Sequence, residues 1–210
     1  MTVLFQQLGD IMRAAPIIPV ITVNHIDEAV PLAEALVAGG LPVLEITLRT
    51  ECALAAIAAV AEVPNAIVGA GTVLTGDQLQ KVKAAGGTFC VSPGITEKLL
   101  QAALAAEMNL LPGVATASEV MNLLEKGLIY MKFFPAEAAG GIPMLKSLGA
   151  PLPQARFCPT GGVSLKNAHK YLALENVLCA GGSWVCPADA IKAKDWTRIT
   201  ELAREAADLK

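Results

Sequence analysis

What most constrains this chain is a repeat. Roughly every 20 residues a short apolar run is followed by an amphipathic segment, and glycine marks several of the joins. The apolar runs fall at residues 17–23, 43–48, 67–70, 88–91, 110–111, 128–134, 156–158 and 177–180. Helical patterns occupy residues 27–37, 51–60, 78–84 and 97–105, with another around 118–125. Gly39-Gly40, Gly86-Gly87 and Gly127 come after helical segments and lead into strands, as helix C-termini require. Runs this short and this apolar read as strands buried on both faces, which means parallel strands joined by right-handed helical crossovers. Eight of them predict an α/β fold, a (β/α)8 (TIM) barrel, as a single domain over residues 1–210. Phe5, Leu8 and Met12 recur at helical spacing and add an extra N-terminal helix. A doubly wound open sheet is the structural alternative. Ser92-Pro93-Gly94-Ile95-Thr96 resembles Leu111-Pro112-Gly113-Val114-Ala115, an internal similarity that favours the barrel.

Composition narrows the class of protein. The chain is 54% hydrophobic, with a mean hydropathy of +0.52. Yet Pro or Gly interrupts every long uncharged stretch before it reaches the roughly 20 apolar residues of a spanning helix. The apolar excess is therefore assigned to a strand core and some subunit interface, and no membrane partner is expected. The N-terminus has no basic flank, unlike a signal peptide. A net charge of −3 without a basic run argues against nucleic acid. Five scattered cysteines with no Cys-x-x-Cys spacing read as reduced thiols and a cytoplasmic address. Two histidines leave little for a metal site.

One residue breaks the apolar pattern. In Tyr130-Met131-Lys132-Phe133-Phe134-Pro135, strand alternation puts Tyr130, Lys132 and Phe134 on one face and Met131 and Phe133 on the other. A lysine there either snorkels outward or pairs with a buried acid, or it is an amine poised to form a Schiff base with a carbonyl. In strand two, alternation groups Glu45, Thr47 and Arg49 against Leu44, Ile46 and Leu48. The polar set points into the barrel, either as a structural Glu–Arg pair or as reacting groups. Glycine-rich turns are expected after four strands: Gly69-Ala70-Gly71-Thr72, Ser92-Pro93-Gly94, Pro159-Thr160-Gly161-Gly162 and Gly181-Gly182-Ser183-Trp184. Those after strands seven and eight suit a phosphate, since bare backbone N–H groups can approach an anion. Gly69-x-Gly71 lacks the third glycine of a dinucleotide fingerprint.

Five segments in register, Leu44–Thr50, Val68–Leu74, Met131–Glu137, Arg156–Gly162 and Gly181–Trp184, closely resemble the 2-keto-3-deoxy-6-phosphogluconate (KDPG) aldolase family, which overlaps with 4-hydroxy-2-oxoglutarate (KHG) aldolase. The resemblance runs from about Pro16 to the C-terminus. One departure is Ala139, where Asn is expected.

The resemblance implies a class I aldolase that needs no metal or other cofactor and usually assembles as a homotrimer. It makes Lys132 the Schiff-base nucleophile and Glu45 the general acid/base. Arg49 and Thr72 become contacts to the pyruvate half of the substrate, Pro93 and Phe134 pocket walls, and Thr160, Gly161, Gly162 and Ser183 the phosphate end. The expected reaction is reversible cleavage of KDPG to pyruvate and glyceraldehyde 3-phosphate, with KHG, giving pyruvate and glyoxylate, as a second substrate. The alternatives are another Schiff-base lyase or decarboxylase, such as a pyridoxal-phosphate barrel, a barrel that binds a phosphorylated keto acid without turning it over, and a metal-dependent aldolase.

Overall fold

The computed structural model describes the backbone of residues 3–209 and the side chains of residues 7–209. The strands are β1 (Ile17–Ile21), β2 (Val43–Thr47), β3 (Ile67–Gly71), β4 (Phe89–Val91), β5 (Asn109–Leu111), β6 (Gly113–Val114), β7 (Tyr130–Phe133), β8 (Arg156–Pro159) and β9 (Ala180–Gly182). Among the described residues there are ten α-helices: α1 (Val3–Arg13), α2 (Ala29–Ala38), α3 (Ala53–Val60), α4 (Gly76–Ala84), α5 (Glu97–Ala105), α6 (Ala117–Glu125), α7 (Gly141–Gly149), α8 (Leu165–Leu172), α9 (Ala188–Ala193) and α10 (Trp196–Ala207). Strand pairs are parallel throughout, in a six-stranded sheet ordered β5-β4-β3-β2-β1-β9 and a three-stranded sheet ordered β6-β7-β8. The architecture is α/β, with a parallel half-barrel sheet wrapped by helices. No helix among the described residues is long and apolar enough to cross a membrane.

Alternation sorts the strand side chains into two cores. Ile17, Ile21, Leu44, Ile46, Met131 and Phe133 pack against the helices. Ile18, Val43, Phe89, Val91, Leu111, Tyr130 and Cys158 form a second cluster on the opposite strand face. Leu8 and Met12 of α1 belong to this inner cluster, and Asn109, the first residue of β5, donates its amide to Gln7 Oε1 at 3.4 Å. The Leu8/Met12 spacing predicts this helix, and the structure seats it at the N-terminal ends of the strands; the side chain of Phe5 lies outside the described ones. Completely buried chains such as Met12 and Phe133 each contribute roughly 1.5–3 kcal/mol by leaving water.

Several sequence expectations need correction. The fifth run does not end at Leu111: β5 and β6 are halves of one extended stretch, interrupted because proline has no N–H for the ladder. Its carbonyl still accepts from Lys132 N–H at 2.8 Å. The resemblance between 92–96 and 111–115 is therefore not structural equivalence; the two segments touch instead. A Cβ on Gly113 would run into the Pro93 carbonyl, so Gly113→Ala is expected to cost about 1–3 kcal/mol by overpacking, read as a lower Tm.

The eighth strand begins three residues later than expected and consists of Ala180-Gly181-Gly182, in register with Ile17-Ile18-Pro19. These glycines are strand residues, not a turn. Thr160 Oγ1 occupies the space a Cβ on Gly181 would need, and the Trp184 ring does the same at Gly182. Gly69 and Gly71 likewise lie inside β3, against Phe89 and Glu45. Of the glycines in these four clusters only Gly161 and Gly162 adopt the left-handed backbone, at φ +100° and +79°.

Candidate active site

Register places the lysine. On β7, Lys132 lies between Gly113 of β6 and Cys158 of β8, on the same strand face as Tyr130, which belongs to the inner cluster. Glu45 comes from β2, which pairs with β1 and β3, so the two side chains meet across the inner face rather than along a ladder. Lys132 Nζ donates to Glu45 Oε1 at 3.2 Å, with 7% and 5% of the two side chains exposed. Among the described residues each side chain is the other's sole hydrogen-bond partner. Nζ also lies 5.3 Å from the centroid of the Phe134 ring. Gly71, at the end of β3, makes the arrangement possible: a Cβ there would overlap the Glu45 carboxylate.

A buried pair with so few supporting bonds adds little to stability, because desolvating two charges offsets their attraction. The ammonium has two N–H groups and the carboxylate one oxygen left for something else. Such a pair points to chemistry.

The other candidates all come after strand ends on this same C-terminal side. Arg49 is the largest departure from expectation. Strand β2 stops at Thr47, and Arg49 lies exposed in the turn beyond it rather than on the inward strand face. The reason is local. Thr47 Oγ1 donates to Ile21 O at 2.9 Å and meets Thr22 Oγ1 at 3.1 Å, while Thr50 Oγ1 donates to Val23 O at 2.7 Å. These bonds fold the chain toward β1, and Arg49 N–H closes a tight turn on Thr47 O at 2.8 Å. The guanidinium is left at the mouth on a pinned turn. Alternation correctly groups Thr47 with Glu45 as buried, but gives no sign that its hydroxyl is committed to backbone.

Thr72 comes directly after β3 and is half-buried at φ +61°. A β-branched residue there is strained by about 1–3 kcal/mol, as backbone at functional sites often is. Pro93 is half-buried after β4. Thr160 is buried; its N–H donates to Phe133 O at 2.9 Å, tying the end of β8 to that of β7. Gly161 and Gly162 come next, and Ser183 lies exposed just past β9. The structure thus brings Lys132, Glu45 and Phe134 together directly and sets the remaining seven at the strand ends around them.

Beyond Ser183 a cleft of about 930 Å³ runs between the end of β1 and α9, past His25, Asp27 and Lys194. It includes neither Lys132 nor Glu45. Burial pushes the thiols of Cys90 and Cys186 up to about 12, so neither is a thiolate at neutral pH. Among the described residues, no cluster of three or more His, Cys, Asp or Glu side chains is arranged to hold a metal ion.

A family model described as "Aldolase: KDPG and KHG aldolase" matches residues 8–202. The chain is 57% identical over 197 residues to the 2-dehydro-3-deoxy-phosphogluconate aldolase of Dickeya dadantii, covering 93% of this chain and 92% of that one. The crystal structure of the 2-keto-3-deoxy-6-phosphogluconate aldolase of Zymomonas mobilis with 3-phosphoglycerate superposes with a TM-score of 0.94 at 51% identity, over 98% of this chain and 97% of the other. That of KDPG aldolase from Legionella pneumophila, with pyruvate captured as a covalent carbinolamine intermediate, also gives 0.94, at 50% identity over 96% and 98%.

Proposed function

This chain belongs to the KDPG and KHG aldolase family, and from that membership we infer how its residues divide the work. It is a carbon–carbon lyase, a Schiff-base aldolase that cleaves KDPG to pyruvate and glyceraldehyde 3-phosphate and takes small phosphorylated keto acids and pyruvate as ligands. The observation that carries the assignment of roles is the buried Lys132 amine 3.2 Å from the Glu45 carboxylate.

Lys132, once neutral, attacks the C2 ketone; the carbinolamine loses water and becomes a protonated imine. Glu45 accepts the proton of the C4 hydroxyl while the C3–C4 pair flows into the imine, giving an enamine and releasing the aldehyde. The same carboxyl returns the proton to C3, and water hydrolyses the imine to free pyruvate and the amine. The 3.2 Å separation lets the proton released by Lys132 on attack pass to Glu45 or to water. Arg49, from the turn after β2, offers a two-pronged donor for the substrate carboxylate, and Thr72, just after β3, a second contact to it. Pro93 and Phe134 wall the pocket. Thr160, Gly161, Gly162 and Ser183 hold the phosphate, whose binding energy helps position the reacting carbons.

The sheet is read as a closed (β/α)8 barrel in a single domain, with β5 and β6 as one stave. Parallel bridges from Phe157 to Val177 and from Thr160 to Gly181 support closure between β8 and β9. Exposed Ile26, Leu74, Leu104 and Met121 support an oligomer, read as a homotrimer in the cytoplasm; light scattering should give three times the 21.8 kDa of one chain.

Borohydride reduction in the presence of pyruvate, with peptide mapping of the product, tests the assignment. The expected result is one adduct, on Lys132, undiminished by EDTA. No adduct in folded protein, or an adduct on another lysine, overturns it.

A further inference from the structure

The turn after β8 is held by bonds that leave its N–H groups unused. Three successive carbonyls are tied down: Thr160 O accepts from Ala136 N–H at 2.8 Å, Gly161 O from Glu137 N–H at 3.0 Å and Gly162 O from Asn167 Nδ2 at 3.1 Å. In a planar trans peptide the N–H points opposite to the carbonyl it shares a plane with. The N–H groups of Gly161, Gly162 and Val163 are therefore turned away from their tethers, and none donates to an acceptor among the described residues. Successive backbone N–H groups free of protein acceptors are the donors of which anion cradles are made.

What holds the tethers is a second layer. The Glu137 side chain lies flat on Gly162, where a Cβ would stand 2.5 Å from Glu137 Cγ and 2.8 Å from its Cβ. Its carboxylate oxygen Oε1 accepts from the hydroxyl of Tyr171 on α8. Tyr171 is completely buried, and burial, with the Glu137 charge beside it, pushes its proton affinity up, so it remains a donor across the working pH range. Asn167 acts in two directions: Oδ1 accepts from Ser164 N–H at 2.7 Å and caps α8, while Nδ2 reaches the turn.

Resting on the reading that this turn takes the substrate phosphate, we propose that Glu137, Asn167 and Tyr171 are positioning residues that set phosphate affinity by aiming the Gly161–Val163 N–H groups. They lie beyond the reacting carbons and act only through the turn. Without the tyrosine hydroxyl, Glu137 is free to lift off Gly162 and present an unpaired carboxylate beside the anion.

The experiment compares KM and kcat for phosphorylated KDPG and unphosphorylated KHG, with inorganic phosphate as a competitive inhibitor. Tyr171→Phe keeps the ring and the packing. It is expected to raise KM for KDPG and Ki for phosphate about tenfold, with kcat and all KHG constants within about twofold. Glu137→Ala should do the same, whereas Glu137→Gln, which keeps an acceptor oxygen for Tyr171 and removes the charge, should keep KM at or below the wild-type value. Equal losses on both substrates, or unchanged KM and Ki in Tyr171→Phe and Glu137→Ala, overturn the positioning role alone, provided phosphate competes in the wild type. Failure of phosphate to compete with KDPG in the wild type overturns the phosphate reading itself, and this inference with it.

Discussion

Lys132→Ala is expected to lower kcat by at least about 10⁴-fold, the scale seen when a covalent nucleophile is removed from a site whose other parts remain. On the proposed roles, Arg49 and the turn at 160–162 are untouched by the substitution and substrate binding is retained, so the loss is expected on kcat. Nothing else is placed to substitute: among the described residues no other lysine is buried, and the buried thiols of Cys90 and Cys186 stay protonated. The variant also leaves the Glu45 carboxylate buried without its partner. Removing one member of a buried pair costs about 3 kcal/mol, so Tm should fall, and adding Glu45→Gln should recover part of it. Circular dichroism, melting and borohydride labelling with pyruvate on the same preparation separate chemistry from folding. A folded Lys132→Ala protein that retained substantial turnover would remove the Schiff base from this lysine.

Glu45→Gln separates imine formation from proton transfer. The substitution keeps shape and an oxygen that can accept from Lys132 Nζ, in the space that Gly71 leaves by lacking a Cβ. Pyruvate should still be trapped on Lys132, since attack at C2 needs the amine. Exchange of the pyruvate methyl protons in deuterated water should fall about 10²- to 10⁴-fold, the usual worth of a positioned acid/base group. Proton NMR tracks the exchange, and cleavage should fall with it. Exchange at the wild-type rate would exclude Glu45 from the acid/base role and leave it as a partner of the lysine only.

Much of this is visible in the residues taken alone. Alternation about Lys132 sorts Tyr130 from Met131 and Phe133, and the structure puts them in separate clusters. The same rule puts Leu44 and Ile46 against helices. Local chemistry also serves well where it decides the outcome, as in α5, whose bounds match expectation because Thr96 caps its first turn. A strand's period and a helix's caps depend on neighbours a few residues away, so they can be read directly from the chain.

Tertiary structure decides what depends on distant partners. Arg49 leaves the strand because Thr47 and Thr50 bond to β1 and the residues just beyond it, 26 and 27 positions away in the chain. Ala180–Gly182 pairs with β1 because its glycines leave room for Thr160 and Trp184. The Glu137–Tyr171 contact spans 34 residues and gives no periodic signal. Lys132 and Glu45 are separated by 87 residues, and each alone is compatible with an ordinary ion pair. Their meeting in an interior with no other partner among the described residues is a consequence of how the sheet curves. Residue type and period establish which face a side chain takes; only the packed fold establishes what it finds there, because burial and hydrogen-bond partners are properties of the assembled surface.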